Sequence, residues 1–153
     1  MIHAPELKYF ATLKVEIDAP QEVGVSVHGE RRIIPITGGT VQGNGWQGKV
    51  LRGGADYQLI LTPRLTHLDA QYAIELDNGE LIYIHNKAIR VASAEITQKI
   101  KIGEPVAPEL IYFRCHPVFE TSSPSMQWIT ERVFVGTGIR RPNLVELQIF
   151  EVL

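Results

Sequence analysis

Hydrophobic and polar residues alternate with a period of two along most of the chain. In LKVEI (residues 13–17), Leu13, Val15 and Ile17 fall on one face and the two charged residues on the other, and VGVSV (23–27) repeats the pattern. A period of two is typical of a half-buried β-strand. Further strands are predicted over Tyr57–Leu61, Ala70–Leu76, Leu81–Asn86, Leu110–Cys115, Gln127–Val135 and Val145–Val152.

Turn-forming residues separate these runs, among them Ala19-Pro20, His28-Gly29 and Pro142-Asn143. Many short strands punctuated in this way predict an all-β fold, either an antiparallel sandwich or a barrel. No linker, internal repeat or low-complexity tract marks a boundary, so residues 1–153 are predicted to form one domain.

The dipeptide Asn78-Gly79 predicts the turn of one hairpin. It favours a two-residue type I′ turn, which needs positive φ at both central positions. The side chains that such a turn places on one face, in opposing pairs, are Leu76 and Leu81, Ile74 and Tyr83, and Tyr72 and His85. Tyr72 and His85 are therefore predicted neighbours, as a proton relay or, more simply, as a satisfied polar contact in the core.

One segment predicts a helix, and the fold is expected to hold at most one or two short ones. Ser93 is a suitable N-cap, Ile96 and Ile100 are four residues apart, and Gly103 is a suitable end. We expect this helix to cover or plug one end of a barrel.

Composition and charge narrow the class of protein. The chain is 44% hydrophobic and 21% charged, with a net charge of -2 and no basic run, so a nucleic-acid partner is not expected. No apolar stretch is long enough for a membrane helix, and the N-terminus does not resemble a signal peptide. The lone cysteine, Cys115, fits a reducing compartment, and a cytoplasmic location is expected. The sequence is compatible with a homo-oligomer.

The glycines are unevenly distributed. Seven of 13 lie between Gly38 and Gly54, and the last two, Gly53 and Gly54, come two residues before the lone carboxylate of Asp56. Glycines bend strands at barrel corners. They also let backbone approach a ligand closely, which makes Gly53 and Gly54 candidate ligand-binding residues.

Five motifs resemble one protein family. RRIIPITGG, GKVLRGGADYQ, LDAQYAIELDNGELIYIHN, YFRCHPVFET and WITERVFVGTGIRR fall in the order found in domain-of-unknown-function family 3237, also called uncharacterised protein family 0311. The resemblance runs from about Leu7 to the C-terminus and implies a closed, calycin-like or lipocalin-like antiparallel barrel. The sequence departs from the family pattern at Tyr57, Ala88 and Trp46, where tryptophan, glycine and an aliphatic residue are more usual.

Four residues are candidates for catalysis. Asp56 matches the family's acid and is a candidate general base, although it also fits a turn cap. Tyr72, Arg114 and Glu120 are expected to converge with it in an apolar barrel, where they could supply proton transfer and stabilise an anion. Alternation leaves open whether Arg114 points inward, and an inward arginine needs an acid such as Asp56 or Glu120, or an anionic ligand.

Other residues are candidates for ligand binding. Arg32 shares parity with Ile34 and Ile36, which favours an inward orientation. Trp128 is a core residue or a surface on which a ring stacks. His85 belongs to the same group through its predicted pairing with Tyr72. The histidines show no metal-ligand spacing, so neither a metal nor a cofactor is expected.

Three functions fit these features. The first is a cofactor-free enzyme, a lyase, isomerase or hydrolase, with a cyclic or aromatic small molecule as its partner. The second is a non-catalytic carrier that uses the same lumen. The third is a structural or interaction module, which requires the acids and arginines to lie on the surface.

Overall fold

The computed structural model describes all 153 residues and contains ten strands in a single antiparallel sheet. A 3₁₀ helix spans Pro108–Leu110 and a longer one Pro124–Glu131. The other elements are β1 (Leu7–Ile17), β2 (Gln21–Ser26), β3 (Gly29–Gly43), β4 (Gln47–Val50), β5 (Ala55–Ile60), β6 (Leu65–Leu76), β7 (Leu81–Val91), α1 (Ala94–Lys101), β8 (Tyr112–Thr121), β9 (Val133–Arg140) and β10 (Leu144–Val152).

The sheet closes into a barrel with eight positions around its wall. The strands run in the order β1, β10, β9, β8, β7 and β6; β4 and β5 then share one position between β6 and β3, and β3 pairs back to β1. β2 is an additional strand on the first half of β3. The predicted all-β closed barrel is confirmed. The structure contains no helix long and apolar enough to cross a membrane.

Alternating residues of each strand fill the interior. On β7 the even-numbered positions are buried and the odd-numbered ones are more exposed, whereas on β8 the odd-numbered positions are buried. One end of the interior is packed with aromatic rings, which are Phe10, Trp46, Phe119, Trp128 and Phe134. The opposite end, beneath α1, contains a cavity.

The hairpin between β6 and β7 forms, but its predicted register is wrong by one residue. Ile74 pairs with Ile82 and Tyr72 with Ile84, so His85 lies opposite Gln71 instead. The loop has three residues, since the amide of Leu76 donates to the carbonyl of Glu80 at 2.8 Å. Within this loop only Gly79 has positive φ, at 87°. This is the pattern of a turn followed by a glycine bulge and not of a type I′ turn.

The helix α1 is confirmed. Ser93 Oγ accepts a hydrogen bond from the amide of Ile96 at 3.1 Å, and Gly103 follows the helix with φ of 85°.

The strand predicted over Gln127–Val135 is wrong in its first half, because the 3₁₀ helix Pro124–Glu131 occupies it. The buried residues of that helix, Met126 and Ile129, are three apart, which matches the repeat of a 3₁₀ helix. The strand begins only at Val133.

Candidate functional site

A cavity of about 490 Å³ occupies the end of the barrel beneath α1. Its mouth is bordered by residues 18–20, by the end of α1 and by residues 142–143. Of the 26 residues that line it, 14 are hydrophobic, so it suits a mostly apolar ligand of one or two rings. Apart from the residues of this border, the polar and charged side chains of its wall are Arg32, Asp56, Gln58, Tyr72, Asn86, Arg90 and Arg140.

Asp56 lies in this wall and is held in a fixed position. Its Oδ2 accepts from Gln58 Nε2 and its Oδ1 from the backbone amide of Asp69, both at 2.9 Å. The ladder between β5 and β6 is interrupted between the pairs Asp56–Ala70 and Leu59–His67. In this gap the amide of Asp69 donates to the Asp56 carboxylate instead. The side chain is enclosed by protein yet keeps part of its surface open, and that surface faces the cavity.

Burial raises the pKa of Asp56 above its ordinary value of 3.8, because desolvation disfavours the charged form. The hydrogen bond from Gln58, the amide of Asp69 and the positive charge of Arg90 act in the opposite direction. A carboxyl group under these two influences is a stronger base than an exposed aspartate, while its ionised form is still stabilised by neighbours.

The two glycines before Asp56 have different structural roles, and neither lines the cavity. Gly53 has φ of 107° and makes the turn that leads into β5. Gly54 lies against β6, where an added Cβ would be 2.5 Å from Tyr72 Cβ. The close approach predicted here is therefore between two strands and not between backbone and ligand.

Three buried polar atoms of the cavity wall have no hydrogen-bond partner. They are Gln58 Oε1, Tyr72 OH and Asn86 Oδ1, on residues that are each at most 6% exposed. Burial raises the pKa of Tyr72, so its phenol stays protonated and can donate. Unpartnered buried polar groups are costly, and a polar ligand in the cavity would satisfy them.

Two of the three cavity arginines are already engaged. Arg32 Nε lies 3.0 Å from Glu22 Oε1, and its NH2 group donates to the carbonyl of Lys101. Arg140 donates to the carbonyls of Ile100 and Glu104 at 3.1 and 2.9 Å. Both therefore bind carbonyl groups at the C-terminal end of α1, where a positive charge is favourable.

The third arginine, Arg90, is 5% exposed, and its guanidinium has no hydrogen-bond or salt-bridge partner within the protein. Its nitrogens are not among the fully enclosed polar atoms that lack a partner, so they border the open space of the cavity. Burial lowers its pKa to about 10, and the nearby Asp56 carboxylate partly offsets this effect. Arg90 is thus a cation at neutral pH.

Three of the predicted site residues lie on the outside of the barrel. Arg114 and Glu120 occupy even-numbered positions of β8, whose odd-numbered positions face inward. The Arg114 guanidinium packs 4.9 Å from the ring of Tyr112. His85 points outward because of the changed hairpin register, and its Nε2 lies 2.6 Å from Asp69 Oδ1. The roles predicted for these three residues required an inward orientation and are corrected accordingly.

Trp128 lies at the opposite end of the barrel from the cavity. Its ring packs edge-on against Phe10, 5.6 Å between centroids, and is 42% exposed. It therefore closes the aromatic end and does not line the cavity. Of the predicted site residues, the structure brings together Arg32, Asp56 and Tyr72.

Among the polar residues of the cavity wall that lie apart from its border, four were not predicted: Gln58, Asn86, Arg90 and Arg140. The sequence pattern of two strands, β5 and β7, could have revealed three of these residues. Gln58 shares parity with Asp56, and Asn86 and Arg90 share parity with Ile82 and Ile84. The structure contains no group of three or more His, Cys, Asp or Glu side chains that could hold a metal ion.

Comparison with known proteins finds full-length relatives. The family model described as "Protein of unknown function (DUF3237)" matches residues 5–152. A UPF0311 protein of Rhodopseudomonas palustris strain TIE-1 is 45% identical over 148 residues, which cover 97% of each chain.

Solved structures share the barrel. A crystal structure of a conserved protein of unknown function from Rhodopseudomonas palustris has a TM-score of 0.93 at 42% identity, with full coverage of both chains. The structure of an enzyme from Penicillium herquei has a TM-score of 0.74 at 17% identity, and the match covers 100% of this chain and 98% of that one. The second likeness shows a common fold alone.

Proposed function

The chain belongs to the family described as "Protein of unknown function (DUF3237)", and we propose that this member is an enzyme that moves a proton on a small cyclic or aromatic molecule. The observation that carries the proposal is Asp56. Its carboxyl group is fixed by two hydrogen bonds, is partly open to a mostly apolar cavity, and has a raised pKa.

Asp56 is the proposed general base. A base works best when its pKa lies near the working pH, and burial moves Asp56 in that direction. Because Gln58 and the Asp69 amide hold both carboxyl oxygens, the remaining lone pairs have a defined direction relative to a bound ligand.

Tyr72 is proposed to stabilise the negative charge that develops when the proton leaves. If the proton is lost from a carbon beside a carbonyl group, the charge moves to the carbonyl oxygen. The protonated phenol of Tyr72, which lacks a partner, can donate to that oxygen. Donors fixed in advance inside a site of low polarity are effective because they need no reorganisation.

The lining favours a substrate with a ring and few polar groups, since 14 of 26 residues are hydrophobic around a volume of about 490 Å³. Proton abstraction of this kind is a first step shared by isomerases and lyases, and activation of water by the same carboxylate would serve a hydrolase. The structure supports proton abstraction by Asp56 and does not distinguish among an isomerase, a lyase and a hydrolase.

The test is a screen of cyclic ketones, enones and lactones against the purified protein, with conversion followed by NMR. We expect the wild-type protein to convert at least one compound and D56N to be slower by a factor on the order of 100 or more, the range general-base catalysis supplies. D77N is the matched control, because Asp77 bonds Gln47 and lies in the β6–β7 loop, away from the cavity.

Two results would contradict the proposal. Equal conversion by D56N and wild type would remove Asp56 from the chemistry. Compounds that bind in the cavity and are never converted would favour the second candidate, a carrier, because the same apolar lining suits ligand storage.

A further inference from the structure

Arg90 is a buried cation whose hydrogen-bonding groups are unused. A guanidinium has five N–H donors, and none of those on Arg90 meets an acceptor, although the residue is only 5% exposed and lines the cavity. A charged group that is mostly enclosed by protein is stabilised by an acceptor within hydrogen-bond reach, and the protein supplies none here. Its neighbours Arg32 and Arg140, by contrast, are bonded to protein acceptors.

The nearest acid does not fill this role. Asp56 influences Arg90 through its charge, but its two oxygens accept from Gln58 and from the Asp69 amide, and no hydrogen bond joins it to Arg90. The donors of Arg90 are therefore available to a group that enters the cavity from solution.

We propose that the substrate is a ring-bearing carboxylic acid whose carboxylate binds Arg90. A carboxylate matches the planar fork of a guanidinium and accepts two parallel hydrogen bonds from it. This inference rests on the proposed function, because it assigns the substrate class of the same cavity.

The order of residues along β7 sets the orientation of that acid. Arg90, Ala88 and Asn86 all point inward, and β7 runs from the aromatic end of the barrel toward α1. Arg90 is therefore nearer the mouth, and Asn86 lies about 13 Å deeper along the strand, at about 3.3 Å per residue. Ala88 between them presents only a methyl group, which leaves room for a ring.

A polar atom on the far side of the ring would then meet the unpartnered Asn86 Oδ1 or Tyr72 OH. The carboxylate at the mouth and this second polar group fix the ring at two points. Asp56 lies in the same row of the sheet as Asn86, because Asp56 pairs with Ala70 and Ala70 with Asn86. The carboxylate of Asp56 therefore faces the inner part of the ring, away from the Arg90 end.

Binding of matched acids and amides tests the proposal. The probes are benzoate and 2-naphthoate with their primary amides, titrated calorimetrically into the wild-type protein. We expect at least one acid to bind tenfold or more tightly than its amide. In R90M this preference should disappear, and in R90K, which keeps the charge but not the fork, it should fall by less. R114M is the control, since Arg114 lies outside the barrel, and should bind like wild type.

The proposal is overturned if neither acid binds the wild-type protein more tightly than its amide, and this comparison needs no variant to fold. An unchanged preference in R90M also overturns it, because the anion would then be held elsewhere. Failure of the proposed function gives a different result. In that case the wild-type protein and D56N would both bind the acid, but neither would convert any compound. If the protein converts neutral compounds but no carboxylic acids, this inference is wrong while the proposed enzymatic function still holds.

Discussion

Replacing Gly54 with alanine would force a methyl group into the contact between the start of β5 and β6. The new Cβ would be 2.5 Å from Tyr72 Cβ and 2.9 Å from Tyr72 Cα. Carbon atoms pack favourably at about 3.5–4.0 Å, so the two strands would have to separate by about 1 Å. Gly54 cannot move away freely, because its carbonyl accepts from the amide of Ile36 at 3.0 Å.

The expected cost follows from this geometry. Overpacking a core typically destabilises by about 1–3 kcal/mol. The upper part of that range applies here because two of the three clashing atoms, Gln71 O and Tyr72 Cα, belong to backbone. We expect Gly54→Ala to lower the free energy of unfolding by about 3 kcal/mol on that basis. Ligand affinity should also fall, since the shift displaces Tyr72 from the cavity wall.

The assay is urea denaturation with Gly103→Ala as the matched control. Gly103 has φ of 85° and open space around its Cβ position, so alanine there meets conformational strain alone. That strain is about 1–2 kcal/mol. Both substitutions remove similar freedom from the unfolded chain, so this effect cancels in the comparison. Equal losses in the two variants would refute the argument that close packing between β5 and β6 requires glycine at position 54.

Three further outcomes are expected. Because the pKa of Asp56 is raised in the folded protein, the stability that its protonated form contributes is present below 3.8 and is lost as the pH rises through the folded value. We therefore expect the free energy of unfolding of D56N minus that of the wild type, both measured in urea from pH 4 to 8, to increase with rising pH. A difference that does not change with pH would contradict this expectation. Burial raises the pKa of Cys115 to about 11, so a disulfide reagent at pH 8 should label it only after denaturation, and rapid labelling of the folded protein would contradict its placement. Arg140→Gln removes the bonds to Ile100 and Glu104, so amides of α1 should exchange faster while barrel amides do not, and unchanged exchange in α1 would show that Arg140 does not hold it.

The alternation of residues was sufficient to predict an all-β fold and part of the cavity lining, whereas the closed barrel followed from the family resemblance. Arg32 was placed inward because Ile34 and Ile36 share its parity, and these positions are buried together. Alternation left the orientation of Arg114 open, since Phe113 and Tyr112 lie on opposite faces of the strand and either one could face inward. Only the pairing of β8 with β7, which sets Ala88 opposite Cys115, shows which face is inside.

The hairpin shows a second limit of the sequence. Whether a loop around Asn78 and Gly79 has two or three residues depends on small differences in turn energy, and a slip of one residue changes every opposing pair. The predicted register set His85 opposite Tyr72 and therefore on the inner face. In the structure Ile84 is opposite Tyr72, so Asn86 and Arg90, which share its parity, point inward instead. The lone guanidinium of Arg90 is visible only once the partners of all three cavity arginines are known.

Asp56 is proposed to be a base that is held in the cavity with a raised pKa. This claim is tested most directly by a pH titration of the Asp56 carboxyl carbon by NMR in protein labelled with ¹³C at aspartate side chains. The signal is assigned by its absence from D56N. We expect a midpoint above the ordinary value of 3.8, because burial outweighs the bonds from Gln58 and the Asp69 amide. A midpoint at or below 3.8 would contradict the claim, since the carboxylate would then be a solvated or fully paired group with no enhanced basicity.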